Sequence, residues 1–358
     1  MIEAIKIVNF KSIKSVELSL RPINVLIGSN GAGKSNFVNF FGFVNAIRDG
    51  RLAEYTGERG GSDRIIHLGK RSSSLLEGMI KFDSASDYKF VLVPNDQDSF
   101  YTKKEFGRFL NAEIDYTKIR SIFKGLVYKE DSANLGSSLL DRAHFATDYL
   151  RSFSIYHFHD TSRNAPLKQT ARLADDQFLR PDGSNLPAFL YQLQQTDVRA
   201  FNRIEALIRT IAPYFERFDL RPNGDYIRLN WRQKGTDMYL DASDLSDGTI
   251  RFVALCTLLA QPNPPKTIII DEPELGLHPY AISVLAELVK SVSEQTQIIL
   301  STQSVNLVNE FEPEDIIVVE NQANESTFKR LDSDSLSNWL EEYTLGDLWN
   351  KNVIGGNP

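Results

Sequence analysis

Apolar positions alternate with polar ones near the start of the chain, then fall at steps of three and four. Ile2 to Val8 alternates in part, and Val16, Leu18 and Leu20 keep period two from Ile13 to Leu20, so both stretches predict strands. Ile23 to Ile27 is a short, nearly unbroken apolar run that predicts a buried strand. After a glycine-rich loop, Phe37, Phe40, Phe41, Val44 and Ile47 share one face of a helix over Ser35 to Ile47. Residues 57–74, rich in Gly, Ser and Arg, read as a mobile loop. Between about Leu76 and Phe106 the pattern predicts antiparallel strands, among them Met79–Phe82 and Tyr88–Val93.

From about residue 110 to 240 the alternation of strand and helix lapses, and the stretch reads as an inserted lobe. It holds one clear helical pair, Asn185 to Ile211, with Leu186, Phe189, Leu190 and Leu193, then Phe201, Ile204, Leu207, Ile208 and Ile211. The pair is too short for a coiled-coil arm, which needs sustained heptads. After Asp247 a helix over 248–260 leads to a strand at Thr267–Ile270, a helix at Tyr280–Ser291 and strands at Gln297–Ser301 and Asp315–Glu320. The expected organisation is an α/β head built from both ends of the chain. Residues 1–108 and 241–358 form the head, and 109–240 form a lid or arm lobe.

Composition changes this picture little. The chain has 358 residues, 42% hydrophobic and 24% charged, which is ordinary for a soluble globular protein. Cys256 is the only cysteine, so no internal disulfide framework or multi-cysteine zinc site can form. No apolar stretch approaches membrane-spanning length, and the N-terminal MIEAIKIVNF carries charges where a signal peptide needs an apolar core. A cytoplasmic location is expected. The net charge of −7 gives no global attraction to nucleic acid. Basic residues gather locally at Arg48, Arg51, Arg59, Arg64, Lys70 and Arg71, and again at Lys103, Lys104, Arg108, Lys118, Arg120, Lys124 and Lys129. Acidic residues interrupt both groups. The expected surface is therefore solvated and mixed in charge, with a strip facing DNA or RNA as the alternative.

Candidate chemistry sharpens the picture most. Gly28-Ser29-Asn30-Gly31-Ala32-Gly33-Lys34-Ser35 matches the phosphate-binding pattern G-x-x-x-x-G-K-S, with an apolar strand before it and an amphipathic helix after it. Its glycines let the backbone turn several N–H groups toward one anion, and the helix adds its positive end. With Asn36, this run is the candidate ATP-binding loop. Lys34 is expected on the β- and γ-phosphates, and the Ser35 hydroxyl on Mg²⁺. Strand Thr267–Ile270 ends in Asp271-Glu272, at the carboxyl edge where open α/β sheets bind ligands. Asp271 is expected to hold Mg²⁺ through water, and Glu272 to orient or deprotonate the attacking water. Leu245-Ser246-Asp247-Gly248 stands before another helix. The Ser246 hydroxyl, the Gly248 N–H and the helix start would form a second anion site, although such a tetrapeptide alone is more often a helix cap. His157-Phe158-His159-Asp160 reads as ordinary strand residues rather than a metal cluster.

The set, in this order, resembles the ABC-type ATPase heads of the SMC, RecF and OLD group. The resemblance runs through Asn9-Phe10-Lys11-Ser12, the phosphate loop and the stretch from about 243 to 320. It is nearest to compact bacterial AAA-like ATPases without a nuclease domain, including the tail Tyr343-Thr344-Leu345-Gly346-Asp347-Leu348-Trp349. It implies a P-loop NTPase fold with a mixed sheet, ATP and Mg²⁺ as cofactors, and a homodimer that closes around ATP. Ser246 and Gly248 would then act in trans on the nucleotide held by the partner's loop, and Leu275-Gly276-Leu277-His278-Pro279 would cross the dimer interface. By the same resemblance, DNA or a separately encoded nuclease or other effector would be the controlled partner, in repair or anti-phage defence. Two positions depart from the family. Gln303 stands where a histidine usually faces the γ-phosphate, which implies slower turnover, since an amide donates a hydrogen bond but carries no charge. No glutamine lies between Lys34 and Asn95 to serve as the family's glutamine loop, with His67 as a substitute or else a plain strand histidine. Asp332-Ser333-Asp334 hints at a metal nuclease, but the chain ends too soon after it for such a domain. The alternative function is the ATP-binding subunit of a membrane transporter; the long gap from Lys34 to Leu245 and the Asn-Phe-Lys-Ser turn argue against it. A guanine-reading Asn-Lys-x-Asp is missing, because Asn350-Lys351 is followed by Asn352-Val353.

Overall fold

A helix crowded with phenylalanines lies between two six-stranded sheets. The computed structural model describes residues 1–109, 112–115, 117 and 153–357. Strands β1 (Ala4–Phe10) and β2 (Ile13–Ser19) form a hairpin, and β3 (Ile23–Ile27) leads into the glycine loop and α1 (Lys34–Arg48). Helices α2 (Leu52–Glu58) and α3 (Ser62–Ile65) precede β4 (Leu76–Asp83), β5 (Ser86–Pro94), β6 (Phe100–Phe109) and β7 (Ala112–Asp115). Next come β8 (Phe153–Tyr156), β9 (Ala171–Arg172), α4 (Leu186–Thr196), α5 (Val198–Ile211), β10 (Phe215–Phe218), β11 (Tyr226–Ile227), β12 (Asn230–Gln233) and β13 (Tyr239–Asp241). The remainder runs α6 (Asp247–Ala260), β14 (Thr267–Asp271), α7 (Pro279–Val292), β15 (Gln297–Thr302) and α8 (Val305–Val308). Strands β16 (Ile316–Gln322) and β17 (Glu325–Arg330) and helices α9 (Ser333–Leu340) and α10 (Leu345–Asn350) complete it.

One sheet, in the order β2-β1-β4-β5-β6-β7, is antiparallel throughout. The other, β17-β16-β3-β15-β14-β8, is parallel except for its β17 edge. Its central strands are buried on both faces, which is why Ile23–Ile27 and Thr267–Ile270 read as continuous apolar runs instead of alternating ones. Val25, Ile27, Ile268, Ile270, Ile298 and Leu300 pack toward α6 and α7, whereas Leu26, Ile269, Ile299 and Ile317 pack toward α1. The fold is α/β with a mixed sheet.

Helix α1 departs from the one-faced pattern. Besides Phe37, Phe40, Phe41, Val44 and Ile47, it buries Phe43 and Ala46, because a sheet covers it on each side. Phe43 meets Tyr55, Phe90 and Phe100, and Phe41 meets Phe153, in edge and tilted geometries. Residues 57–74 are not simply a loop. The end of α2 and all of α3 fall there, held by Ser62 Oγ and the Asp63 N–H on Asp98 Oδ1.

Strand β8, inside the 109–240 span, pairs in parallel with β14 and so forms an edge of the head's own sheet. Helices α4 and α5 share one core with α6. The first basic group is largely neutralised in place: Arg48 and Arg51 pair with Asp49, Arg59 with Glu58 and Lys70 with Asp98. In the second group Arg108 pairs with Asp87, while Lys118, Arg120, Lys124 and Lys129 lie outside the described residues.

Candidate functional site

The loop Gly28–Ser35 is shaped by segments distant in sequence. A Cβ on Gly28 would stand 2.2 Å from the Val319 carbonyl oxygen, and one on Gly33 would stand 2.2 Å from Ser326 Oγ. Both glycines also have positive φ, at 152° and 121°, so the β16–β17 hairpin can press against the loop only where there is no side chain. Ser326 Oγ donates to the Ala32 carbonyl at 2.6 Å, so the 2.6 Å contact with Ser12 Oγ takes its proton from Ser12. Ser12 Oγ in turn accepts from Asn36 Nδ2 at 2.8 Å. The Asn-Phe-Lys-Ser turn thus braces the loop through Ser12. Helix α1 begins with no side-chain cap and no acidic residue in its first turn, which leaves its first N–H groups open to an anion. Ser35 and Asn30 are exposed there.

Lys34 is only 5% exposed, and its Nζ donates to the carbonyls of Gly28 at 2.6 Å and Ser29 at 3.1 Å. Burial lowers its pKa, while Glu272, Asp271 and Glu274 pull in the opposite direction. Those three carboxylates are near because β15 lies between β3 and β14, which brings three carboxyl ends side by side. Asp271 Oδ1 accepts from Ser301 Oγ. Glu272 has φ +44°, an uncommon conformation for a side chain of its size, and its N–H bonds the Ser301 carbonyl at 2.8 Å. Gln303 Nε2 donates to Glu272 Oε1 at 2.5 Å. Glu272 of the acidic pair and Gln303 are therefore in direct contact.

Ser246 and Gly248 are placed differently. Ser246 caps α6, its Oγ accepting from the Thr249 N–H at 3.2 Å and lying 2.8 Å from Thr249 Oγ1. Ser246 and Asp247 are exposed. A Cβ on Gly248 would meet the Gly276 carbonyl oxygen at 2.3 Å, so the Leu245–Gly248 turn, the signature motif that the resemblance implies, packs against the segment that follows the acidic pair. Arg251, on the next turn of α6, ties that packing together. Its guanidinium donates to the carbonyls of Phe158 at 2.9 Å, His159 at 2.8 Å and Leu275. Lys168 Nζ reaches Asp247 Oδ1 at 3.1 Å.

Several of these contacts had no sequence signal. Arg251, Lys168 and Ser326 belong to no motif, and only Glu274, in Asp-Glu-Pro-Glu, could have been picked out as a further acid. His159 Nε2 lies 2.5 Å from the Asp271 carbonyl, next to the acidic strand end. His157 and His159 follow β8 rather than sit on it. His67 is packed away, 3% exposed with Nδ1 2.7 Å from the Lys11 carbonyl, and so props the same N-terminal turn as Ser12. Among the described residues, no group of three or more His, Cys, Asp or Glu is arranged to hold a metal ion. No described helix is long and apolar enough to cross a membrane.

Comparison with known proteins bears on the fold and the family. The DNA replication and repair protein RecF of Porphyromonas gingivalis is 23% identical over 299 residues, covering 80% of this chain and 72% of that protein. An SMC head solved with the C-terminal winged-helix domain of ScpA superimposes with TM-score 0.62 at 17% identity, covering 94% of this chain and 99% of that one. The SMC head of Pyrococcus furiosus, solved with an extended coiled coil and the C-terminal domain of ScpA, gives TM-score 0.59 at 15% identity, covering 95% and 98%. The fold is that of SMC-type P-loop ATPase heads. Residues 23–309 match the family described as “AAA domain, putative AbiEii toxin, Type IV TA system”, and the chain belongs to that family, as an ABC-type ATPase of the SMC/RecF group.

Proposed function

We infer that this protein binds and hydrolyses ATP, closes into a homodimer around it, and uses that cycle to control a DNA-linked or effector partner. The observation that carries the reading is the meeting of three strand ends. The phosphate loop after β3, Asp271-Glu272 at the end of β14 and Gln303 after β15 stand together, with Gln303 Nε2 on Glu272 Oε1 at 2.5 Å. The residues fit a nucleotide and a metal. The uncapped start of α1 supplies free N–H donors, Gly31 leaves open space beside the loop, and Lys34 holds its ammonium among the loop carbonyls. Gly28–Asn36 would hold the phosphates, and Ser35 and Asp271 would hold Mg²⁺, which neutralises phosphate charge when bound. Glu272 is the acceptor that can orient a water or take its proton, and Gln303 fixes the direction of that carboxylate.

Dimerisation is inferred from the signature. Ser246 and Asp247 are exposed, and Gly248 is backed by the 275–279 segment, in which Leu275 is 40% and Tyr280, just beyond it, 57% exposed. A second copy of the chain would cover this edge and receive Ser246 and Gly248 at its own phosphate loop. The organisation into a head of residues 1–108 and 241–358 with a lobe at 109–240 is part of the same proposal. The β8 pairing and the core shared by α4, α5 and α6 support close packing of part of that span against the head. The RecF relative and the toxin–antitoxin wording of the family description support repair or defence as the setting.

The test is Glu272→Gln. Its turnover should fall by about 10²–10⁴-fold, while ATP binding persists and a dimer accumulates in gel filtration with light scattering. Turnover equal to the parent would remove Glu272 from the chemistry.

A further inference from the structure

Glu274 lies two residues beyond the acidic pair and is 7% exposed. Its Oε1 is 2.5 Å from Thr302 Oγ1 and 3.3 Å from the Gln303 main-chain nitrogen. The proton on the Thr302 hydroxyl can be assigned. Thr302 Oγ1 already accepts from the Ser304 N–H at 2.9 Å, so its single hydrogen is free to go to Glu274. Oε1 therefore accepts twice, once from the side chain at the end of β15 and once from the backbone of the next residue. Its other oxygen, Oε2, is enclosed and meets no hydrogen-bond partner among the described residues. Burial raises the pKa of this carboxyl most, opposed by the Thr302 hydrogen bond.

Both ends of this clamp bear on the site. Glu274 is joined through Pro273 to Glu272, and Thr302 through one peptide bond to Gln303. The Leu277 N–H on the Glu274 carbonyl at 3.0 Å fixes the same residue from the far side. A carboxylate on β14's extension thus grips the turn after β15, two residues from the point where Gln303 and Glu272 meet.

We propose that Glu274 is a positioning residue for the hydrolytic step. By holding Thr302 and the Gln303 N–H, it fixes the backbone direction from which the Gln303 amide reaches Glu272. The proposal rests on the reading of Glu272 and Gln303 given above. Glu274 itself touches neither substrate nor metal in it. An amide at this position would keep an acceptor oxygen for both donors, whereas an alanine would release them.

The experiment compares the parent, Glu274→Ala and Glu274→Gln in full-length protein. It measures steady-state ATP hydrolysis, nucleotide affinity by calorimetry, thermal unfolding, and a crystal structure of each variant. Glu274→Ala should lower kcat by up to about 100-fold with nucleotide affinity within about twofold of the parent, a split expected when only the hydrolytic step is disturbed. Its structure should show Gln303 Nε2 beyond hydrogen-bond reach of Glu272. Glu274→Gln should restore both kcat and the contact. The proposal is overturned if Glu274→Ala keeps the Gln303–Glu272 contact and the parent kcat. It is equally overturned if affinity, kcat and unfolding temperature all fall together and Glu274→Gln restores none of them. Should the parent itself hydrolyse no ATP, the ATPase reading fails, and the crystal structures still decide whether Glu274 positions Gln303.

Discussion

Helices α1 and α6 each begin at a glycine-containing turn, and each exposes a serine there, Ser35 and Ser246. At α1 the chain itself completes the surroundings. The β16–β17 hairpin presses on Gly28 and Gly33, Lys34 lies inside the loop, and the acidic strand end is within electrostatic reach. At α6 the first turn is already capped by Ser246, and what lies behind it is the Gly276 segment instead of a phosphate loop. The first helix start has open N–H groups and its own lysine. The second offers a hydroxyl and an N–H, and the cations described near it are committed to the chain's own acceptors, Lys168 to Asp247 and Arg251 to the carbonyls of Phe158, His159 and Leu275. Motifs of similar construction thus stand in different surroundings, and the proposed function gives them different roles: one binds on its own, and the other works against a second surface.

Removing the lysine should break the first half of this comparison and leave the second intact. Lys34→Ala deletes the side-chain cation of the loop, and ATP affinity in calorimetry with Mg²⁺ should drop by about 100-fold or more. Tight binding by this variant would place the nucleotide elsewhere. A smaller effect is expected at Gln303→His. Nucleotide affinity should stay unchanged, because the glutamine contacts Glu272 rather than the loop, and turnover should change by no more than about tenfold. A large loss of affinity would instead make Gln303 part of the nucleotide's own packing.

Much of the head could be read from sequence because its signals are local. Gly28–Ser35 carries its strand before it and its helix after it, and Thr267–Ile270 announces a buried strand by its unbroken apolar run. Residues whose roles depend on remote contacts were silent. Phe153–Tyr156 is too short to show a period, and only its pairing with β14 makes it a sheet edge. Ser326 reads as an ordinary hairpin residue until the fold carries it to Gly33. In α1 the steps of three and four pick out one apolar face, as in a surface helix, whereas a helix between two sheets is apolar nearly all round. Residues 57–74 read as a loop because glycine and serine mask the end of α2 and the one-turn α3, whose start is held by Asp98.

The central claim is that Ser246 and Gly248 serve a phosphate loop on another copy of the chain. Mixing two inactive variants tests it most directly. Ser246→Arg puts bulk and positive charge into the signature turn and leaves the loop intact, while Lys34→Ala disables the loop and leaves the signature intact. Each homodimer then lacks a working site, and the heterodimer has one, with the loop from one chain and the signature from the other. ATPase activity of the mixture should exceed the sum of the separate activities, measured by phosphate release at fixed total protein. A mixture that stays inactive while heterodimers are shown to form would contradict independent action of the signature across the interface.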